Sequence, residues 1–400
     1  MNSQTTAEPP HYEHIFERYI GAGLRRSLTR VQDFPVVPET ERQQAWHVLS
    51  YGLAVDGAWA DARDLLLSLS PKMEQVGFRD DWMGYLAVGL EQARAHGERY
   101  SEGQIAIQLG LLSQLASQYD DAVRWLNIAV DCFNQLADRH HLGVAYNFLA
   151  NVAIQRRDAT AAKTLVVQAH AVFEDDDPEL AYTAYVEGDI ALFERDYDAA
   201  ERHFRRGLTL RRRQGDSRRI AMALRNLALA LQYLQRYAEA IQYSEEAIHR
   251  FEALDDVRNR ATVRMNLSIV YYEQADYERA LVLLAEAEPD YRRCADEQSL
   301  AQLYTNRAIY QRSAGQIEAS IASGREAVAR WEKLGDLGSV VNSLDGLGIS
   351  LIDAGSYTEA VQVLERAETL LTQLREHPRY SYYCTEIERD LAEARRRGRN

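Results

Sequence analysis

Residues 220–254 read IAMALRNLALALQYLQRYAEAIQYSEEAIHRFEAL, and residues 260–294 read RATVRMNLSIVYYEQADYERALVLLAEAEPDYRRC. The second segment lies forty positions after the first and repeats its marks. A small residue (Ala228, Ser268) is followed after nine positions by an aromatic (Tyr237, Tyr277), after three more by an alanine (Ala240, Ala280), and after seven more by another (Ala247, Ala287). Leu224, Leu227, Ala228, Leu231 and Leu234 recur at helical spacing. Reading outward, the small residue returns as Ser50, Gly110, Ala150, Gly188, Ala228, Ser268, Ala308 and Gly348, every 40 residues from Gly110 on except for one step of 38 between Ala150 and Gly188. The aromatic position is looser, with Ala159 and Ile317 among Trp59, Tyr119, Tyr197 and Tyr357. A fixed period of this length implies stacked supersecondary units.

Each unit reads as a pair of antiparallel helices. Small residues at matched heights let the two axes approach, and the late alanine seats the second helix against the next pair. Asp216, Asp256, Asp296 and Asp336 stand forty apart in short breaks such as Gln-Gly-Asp and Leu-Gly-Asp. A glycine closing one helix before an aspartate that caps the next accounts for this punctuation.

The small–aromatic–alanine–alanine series resembles the tetratricopeptide repeat over roughly residues 45–375. Its period exceeds the usual length of about 34, which is similar to the long-repeat group containing the Pins/LGN scaffolds and kinesin light chain. HEAT and armadillo repeats share the longer period but lack the series. The resemblance implies an all-α, right-handed solenoid of about eight hairpins, closed by capping helices at both ends, whose first helices line a concave groove. Residues 1–38 read as a polar tail and an amphipathic helix, with Ile15, Tyr19, Ile20, Leu24, Leu28 and Val31 on one side, before Phe34-Pro35-Val36-Val37-Pro38 breaks the chain. Residues 39–97 read as a divergent first repeat plus an extra helix from about 80, residues 98–375 as seven regular repeats, and residues 376–400 as a capping helix with a basic tail. Pro289, inside a second helix, is expected to kink or shorten it.

Composition narrows the function. The net charge of −14 argues against a nucleic-acid partner. No stretch is apolar and long enough to span a membrane, and Met1–Pro10 lacks the pattern of a secretory signal. Cys132, Cys294 and Cys384 stand far apart and fit reduced thiols in the cytoplasm. Lysine occurs only as Lys72, Lys163 and Lys333, none after a glycine, so the Gly-Lys-Ser/Thr phosphate loop is absent. No serine-hydrolase elbow or zinc-protease motif occurs. The pairs His140-His141 and His11-x-x-His14 do not make a metal site, and no cofactor is expected.

Opposite its buried stripe, each first helix carries a second one. Met222, Arg225, Asn226, Leu229, Gln232 and Tyr233 become Thr262, Met265, Asn266, Ile269, Tyr272 and Glu273 forty residues on, and then Gln302, Thr305, Asn306, Ile309 and Arg312. Asn226, Asn266 and Asn306 form a ladder, with Asn147, Asn151 and Asn342 nearby. Helix propensity does not explain asparagine there, whereas a carboxamide both donates to and accepts from a peptide main chain. The resemblance implies peptide contact at these asparagines. The competing role is a hydrogen bond that keeps neighbouring repeats in register. Tyr182, Tyr185, Phe193, Tyr233 and Tyr272 are candidate anchors beside them. Arg202, Arg205, Arg206, Arg212 and Arg213, with Arg211, Arg218 and Arg219, form a candidate patch for an acidic partner or else a solvated face.

The expectation is a non-enzymatic receptor for a protein or peptide. Two rivals stand beside it: a peptide-controlled regulator of the Rap type acting on a response regulator, for which the N-terminal segment looks short, and a switch in which residues 11–31 occupy the groove.

Overall fold

The computed structural model describes residues 11–34, 37–76, 79–375 and 380–399, so the polar tail, Pro35, Val36 and the joint at 376–379 lie outside the described residues. Among those described, the chain forms nineteen α-helices, one short 3₁₀ turn and no strand. They are α1 (His11–Asp33), α2 (Glu39–Gly52), α3 (Trp59–Val76), α4 (Arg79–Ala95), α5 (Arg99–Leu115), α6 (Tyr119–Gln135), α7 (Arg139–Gln155), α8 (Ala159–Val172), α9 (Leu180–Phe193) and α10 (Tyr197–Gln214). There follow α11 (Ser217–Tyr233), α12 (Tyr237–Ala253), α13 (Val257–Glu273), α14 (Tyr277–Arg293), α15 (Glu297–Ser313), α16 (Ile317–Leu334), α17 (Leu337–Asp353), α18 (Tyr357–Leu371) and α19 (Tyr380–Arg397). Two compact units divide the chain, residues 1–234 and 235–400.

Packing within each unit follows the repeat. Helices pair with their chain neighbours, as α5 with α6, α7 with α8 and α9 with α10 in the first unit, and α13 with α14, α15 with α16 and α17 with α18 in the second. The small residues act by close approach. A β-carbon added to Gly110 would lie 2.6 Å from Leu126, and one on Gly348 would lie 2.6 Å from Leu364. The late alanines Ala129, Ala169, Ala247, Ala287, Ala327 and Ala367 are all buried. The capping aspartates do as expected: Asp216, Asp256, Asp296 and Asp336 each accept a hydrogen bond from the backbone N–H three residues on. Gly215 and Gly335, just before two of them, take the left-handed conformation that ends a helix.

The N-terminal register departs from expectation. Ser50 is exposed and donates to the carbonyl of His47, so it is not the close-approach residue of its helix. Gly52 is: a β-carbon there would meet Leu24 at 2.8 Å and Ala62 at 3.3 Å. The periodicity ran through the wrong position because α2 packs mainly on α1 rather than on α3. Helix α1 lies against α2 and α3 with Leu24 and Val31 buried, which is the position of a cap and not of a ligand in the groove of the regular repeats. Pro289 does not shorten α14, which runs on to Arg293 at the length of its neighbours. Beyond the proline, Asp290 is buried and held by Arg260 Nη2 at 2.6 Å and Arg264 Nη1 at 3.1 Å, which anchors the helix end.

Candidate binding face

Among the first helices of the first unit, α7 and α11 carry the candidate asparagines, and these fall into two kinds. Asn147 is fully buried, and its Nδ2 donates to Thr183 Oγ1 at 3.0 Å, so it holds α7 against α9 and cannot reach a ligand. Asn151 is also buried. Its Oδ1 accepts from Gln114 on α5 and from Gln155 at 3.3 Å, while its Nδ2 donates to the hydroxyl of Tyr185 at 3.4 Å. For these two asparagines the expected ligand contact is corrected to a register role. Both carboxamides are bonded within the scaffold through Nδ2, while Oδ1 of Asn147 is buried without a partner.

Tyr185 belongs to the same network. Its hydroxyl bonds Asp189, whose carboxyl is pushed up to about 6 by burial against the opposing pull of Tyr185 and Arg225. Burial likewise raises the Tyr185 phenol well above its ordinary value. Tyr182 packs between Phe148 and Tyr185, with ring centroids 5.2 Å from each. Nearer the helix ends, Phe193 is 41% exposed and Tyr233 50% exposed, the latter stacked flat on Tyr197 at 4.8 Å. Arg225 and Asn226 are half-buried, with Arg225 Nε donating to Asn226 Oδ1 at 3.4 Å.

In the second unit, Asn266 and Asn306 stand half-buried at the same place on α13 and α15, beside the half-buried Ile269 and Ile309. Asn306 accepts from Gln302 Nε2 at 2.9 Å, which leaves its own N–H groups pointed elsewhere. Asn342 on α17 is also half-buried. Tyr272 stacks on Tyr310 at 4.5 Å, with its hydroxyl 3.4 Å from Ser313 Oγ. A shallow groove of about 1180 Å³ is lined by Tyr277, Leu281 and Val282 of α14 and by Arg307 and Gln311 of α15, and none of these asparagines lines it.

The arginine patch is largely neutralised from inside the molecule. Arg205 pairs with Glu201 at 2.7 Å, Arg211 and Arg219 share Glu179 at 3.3 and 2.6 Å, and Arg206 lies 3.6 Å from Glu187. Arg202, Arg212 and Arg213 are exposed on α10. His140 and His141 turn to different carboxylates, Asp177 at 2.8 Å and Asp138 at 2.9 Å. The side chain of His11 lies outside the described residues. Among the described residues, no group of three or more His, Cys, Asp or Glu is arranged for a metal ion, and no helix is long and apolar enough to cross a membrane.

One cluster escaped the sequence reading. Glu187 on α9 accepts from His170 Nε2 of α8 at 2.9 Å and lies 3.1 Å from His203 Nδ1 of α10. Burial works to raise its carboxyl, but the two imidazole hydrogen bonds outweigh that and hold it at about 2. The signal was in the repeat itself. The residue before the small position is Leu109, Leu149, Leu227, Leu267 and Leu347 in five repeats, but Glu187 and Arg307 in two.

Residues 219–293 match the family model of the tetratricopeptide repeat. No curated protein matches the sequence. Among solved structures, the chain is similar to a signal-transduction ATPase with a tetratricopeptide-repeat sensor from Pyrococcus horikoshii, with a TM-score of 0.58 and 13% identity over 96% of this chain and 68% of that one. It is similar to a Rap protein complexed with competence and sporulation factor, with a TM-score of 0.57 and 15% identity over 94% and 99% of the two chains. It is also similar to aspartyl phosphate phosphatase F from Bacillus subtilis, with a TM-score of 0.53 and 13% identity over 91% and 96%. At these identities the likeness is one of fold, and the fold is a helical solenoid of tetratricopeptide repeats.

Proposed function

We propose that this protein is a non-enzymatic cytoplasmic receptor for a peptide or an extended protein segment, bound on the first helices of its repeats. In the second unit Asn266 and Asn306 hold the ligand main chain, with Asn342 further along, while Ile269, Ile309 and Tyr272 meet its side chains. In the first unit Asn226, Arg225, Tyr182, Phe193 and Tyr233 serve the same purpose. The observation that carries the reading is the pair Asn266 and Asn306: unlike Asn147 and Asn151, they recur at one repeat position without being buried. A similar fold in a Rap protein is solved with competence and sporulation factor bound, which supports the same class of ligand here.

The test is to select binders from a fluorescein-labelled random hexapeptide library and to measure their affinity for the wild type and for the double variant Asn266→Ala, Asn306→Ala. Each lost carboxamide removes hydrogen bonds worth about 1 kcal/mol, so affinity falls by roughly ten- to thirty-fold with the melting temperature unchanged. Equal affinities in a folded variant refute the clamp. The fold also resembles aspartyl phosphate phosphatase F, so the protein is further incubated with phosphorylated response regulators. Accelerated dephosphorylation there refutes the non-enzymatic part of the reading.

A further inference from the structure

The last joint of the second unit is built differently from the others. Three positions before the small residue, two first helices reach across to the next one with a neutral polar group. On α15 this is Thr305, whose hydroxyl lies 3.3 Å from Ser343 of α17, and in the first unit it is Asn147, which bonds Thr183. On α17 the same position is Asp345, and the helix it faces is the terminal one, α19. The Oδ1 atom of Asp345 is sealed from solvent and has no hydrogen-bond partner. Across the α17–α19 contact, the carboxylates of Asp390 and Glu386 act on it as like charges.

Two arginines oppose those carboxylates at Asp345, and each is already paired with another acid. Arg389 of α19 is bonded to Asp390 at 2.8 Å and to Glu386 at 2.7 Å, and Arg312 of α15 lies 3.8 Å from Asp353. Three acids therefore meet at one helix junction, and the arginine closest to them already serves two. Helix α19 is the edge helix of its unit. It packs mainly on α18 and α17, and its buried side chains are Tyr383, Ile387, Leu391 and Ala394. An edge helix is held from one side, so it is the element that a local repulsion can dislodge.

We propose that Asp345 makes the docking of α19 depend on pH: with its proton the residue tolerates the facing carboxylates and the end of the solenoid is closed, and without the proton it repels them and the cap loosens. Burial first, then the charges of Asp390 and Glu386, push the Asp345 carboxyl up to about 7. An undocked aspartate titrates near 3.9. A carboxyl with its docked value raised favours docking most below that ordinary value. The advantage shrinks as pH rises from about 4 to about 7 and is gone above, at up to ten-fold per pH unit. Loosening α19 exposes its own Tyr383, Ile387 and Leu391, which share one buried apolar cluster with Leu364 and Leu371 of α18.

Hydrogen exchange across residues 380–397 reads the docking directly. Rates are measured on the full chain at pH 5.5, 6.5 and 7.5, corrected for the intrinsic pH dependence of exchange and referenced to α13. The wild type is expected to lose on the order of ten-fold of its protection in α19 between pH 5.5 and 7.5. Asp345→Asn, neutral at every pH, is expected to stay protected throughout. Removing one facing charge with Glu386→Gln lowers the affinity of Asp345 for its proton and moves the transition to lower pH. Protection in wild-type α19 that is level across this range overturns the proposal, as does an Asp345→Asn profile that falls in step with it. Should Asp345→Asn fail to fold, an unmoved transition in Glu386→Gln overturns it instead.

Discussion

A β-carbon on Gly188 would sit 2.3 Å from the ring of Phe204, a distance at which something must shift. Phe204 is itself buried across the α9–α10 pair, so the ring has little space to yield, and the helices must part. Gly188→Ala is therefore expected to destabilise by about 1–3 kcal/mol, the usual cost of overpacking a close contact. Trimming the ring with Phe204→Leu should recover part of that loss in the double variant, because the two positions share one contact. Urea unfolding of the two single variants and the double one measures the coupling, and strict additivity refutes the close-packing account. Residues of this kind were legible in the sequence, since a small side chain recurring at a fixed interval has few explanations other than proximity. The asparagines proposed to hold a ligand were not separable in the same way. Asn147 and Asn266 look alike in a string of letters, and only the distance from Asn147 to Thr183 reveals that one is a spacer between helices.

Helices were read from sequence by their caps and their periodicity, and these are local properties that tertiary packing had no cause to override. Register at the N-terminus failed because it depends on which partner α2 chooses, and the presence of Gly52 two positions after Ser50 carries no local signal of that choice. Glu187 illustrates the same limit at the level of the helix joint. In five repeats a leucine fills this place, and here a carboxylate ties α8 and α10 to α9 through His170 and His203. Its pKa is held at about 2, below the ordinary glutamate value of about 4.3. A carboxylate depressed in the folded state stabilises above its unfolded pKa, and that contribution is lost as pH falls through the folded one, here between about 4 and 2. Discounted for solvent screening, the shift corresponds to on the order of 2 kcal/mol. Glu187→Gln should accordingly be less stable than the wild type at pH 6, with the gap between their urea midpoints narrowing by pH 3.5. A gap that does not change with pH would assign the cluster to packing instead of charge.

Within each unit, every substantial contact between elements joins helices no more than two apart in chain order, as α3 with α5, α7 with α9 and α15 with α17. Among the described residues, then, the contacts of each unit are made between near neighbours in chain order. Stability in such an architecture is approximately a sum of repeat terms and nearest-neighbour interfaces, so damage stays local. Phe133 on α6 is among the largest fully buried side chains, and it packs with residues of the neighbouring helices. Phe133→Ala leaves a cavity that ordinarily costs about 3–5 kcal/mol. In a protein with one shared core that loss lowers amide protection everywhere. Here the expectation is faster exchange in α5, α6 and α7, fading within a repeat or two, and unchanged exchange in α17 and α18. Hydrogen exchange of the full-length variant under native conditions decides between the two. A uniform drop in protection from α5 to α18 would show that the repeats fold as one cooperative body, and it would also remove the ground for treating α19 as an end that can open by itself.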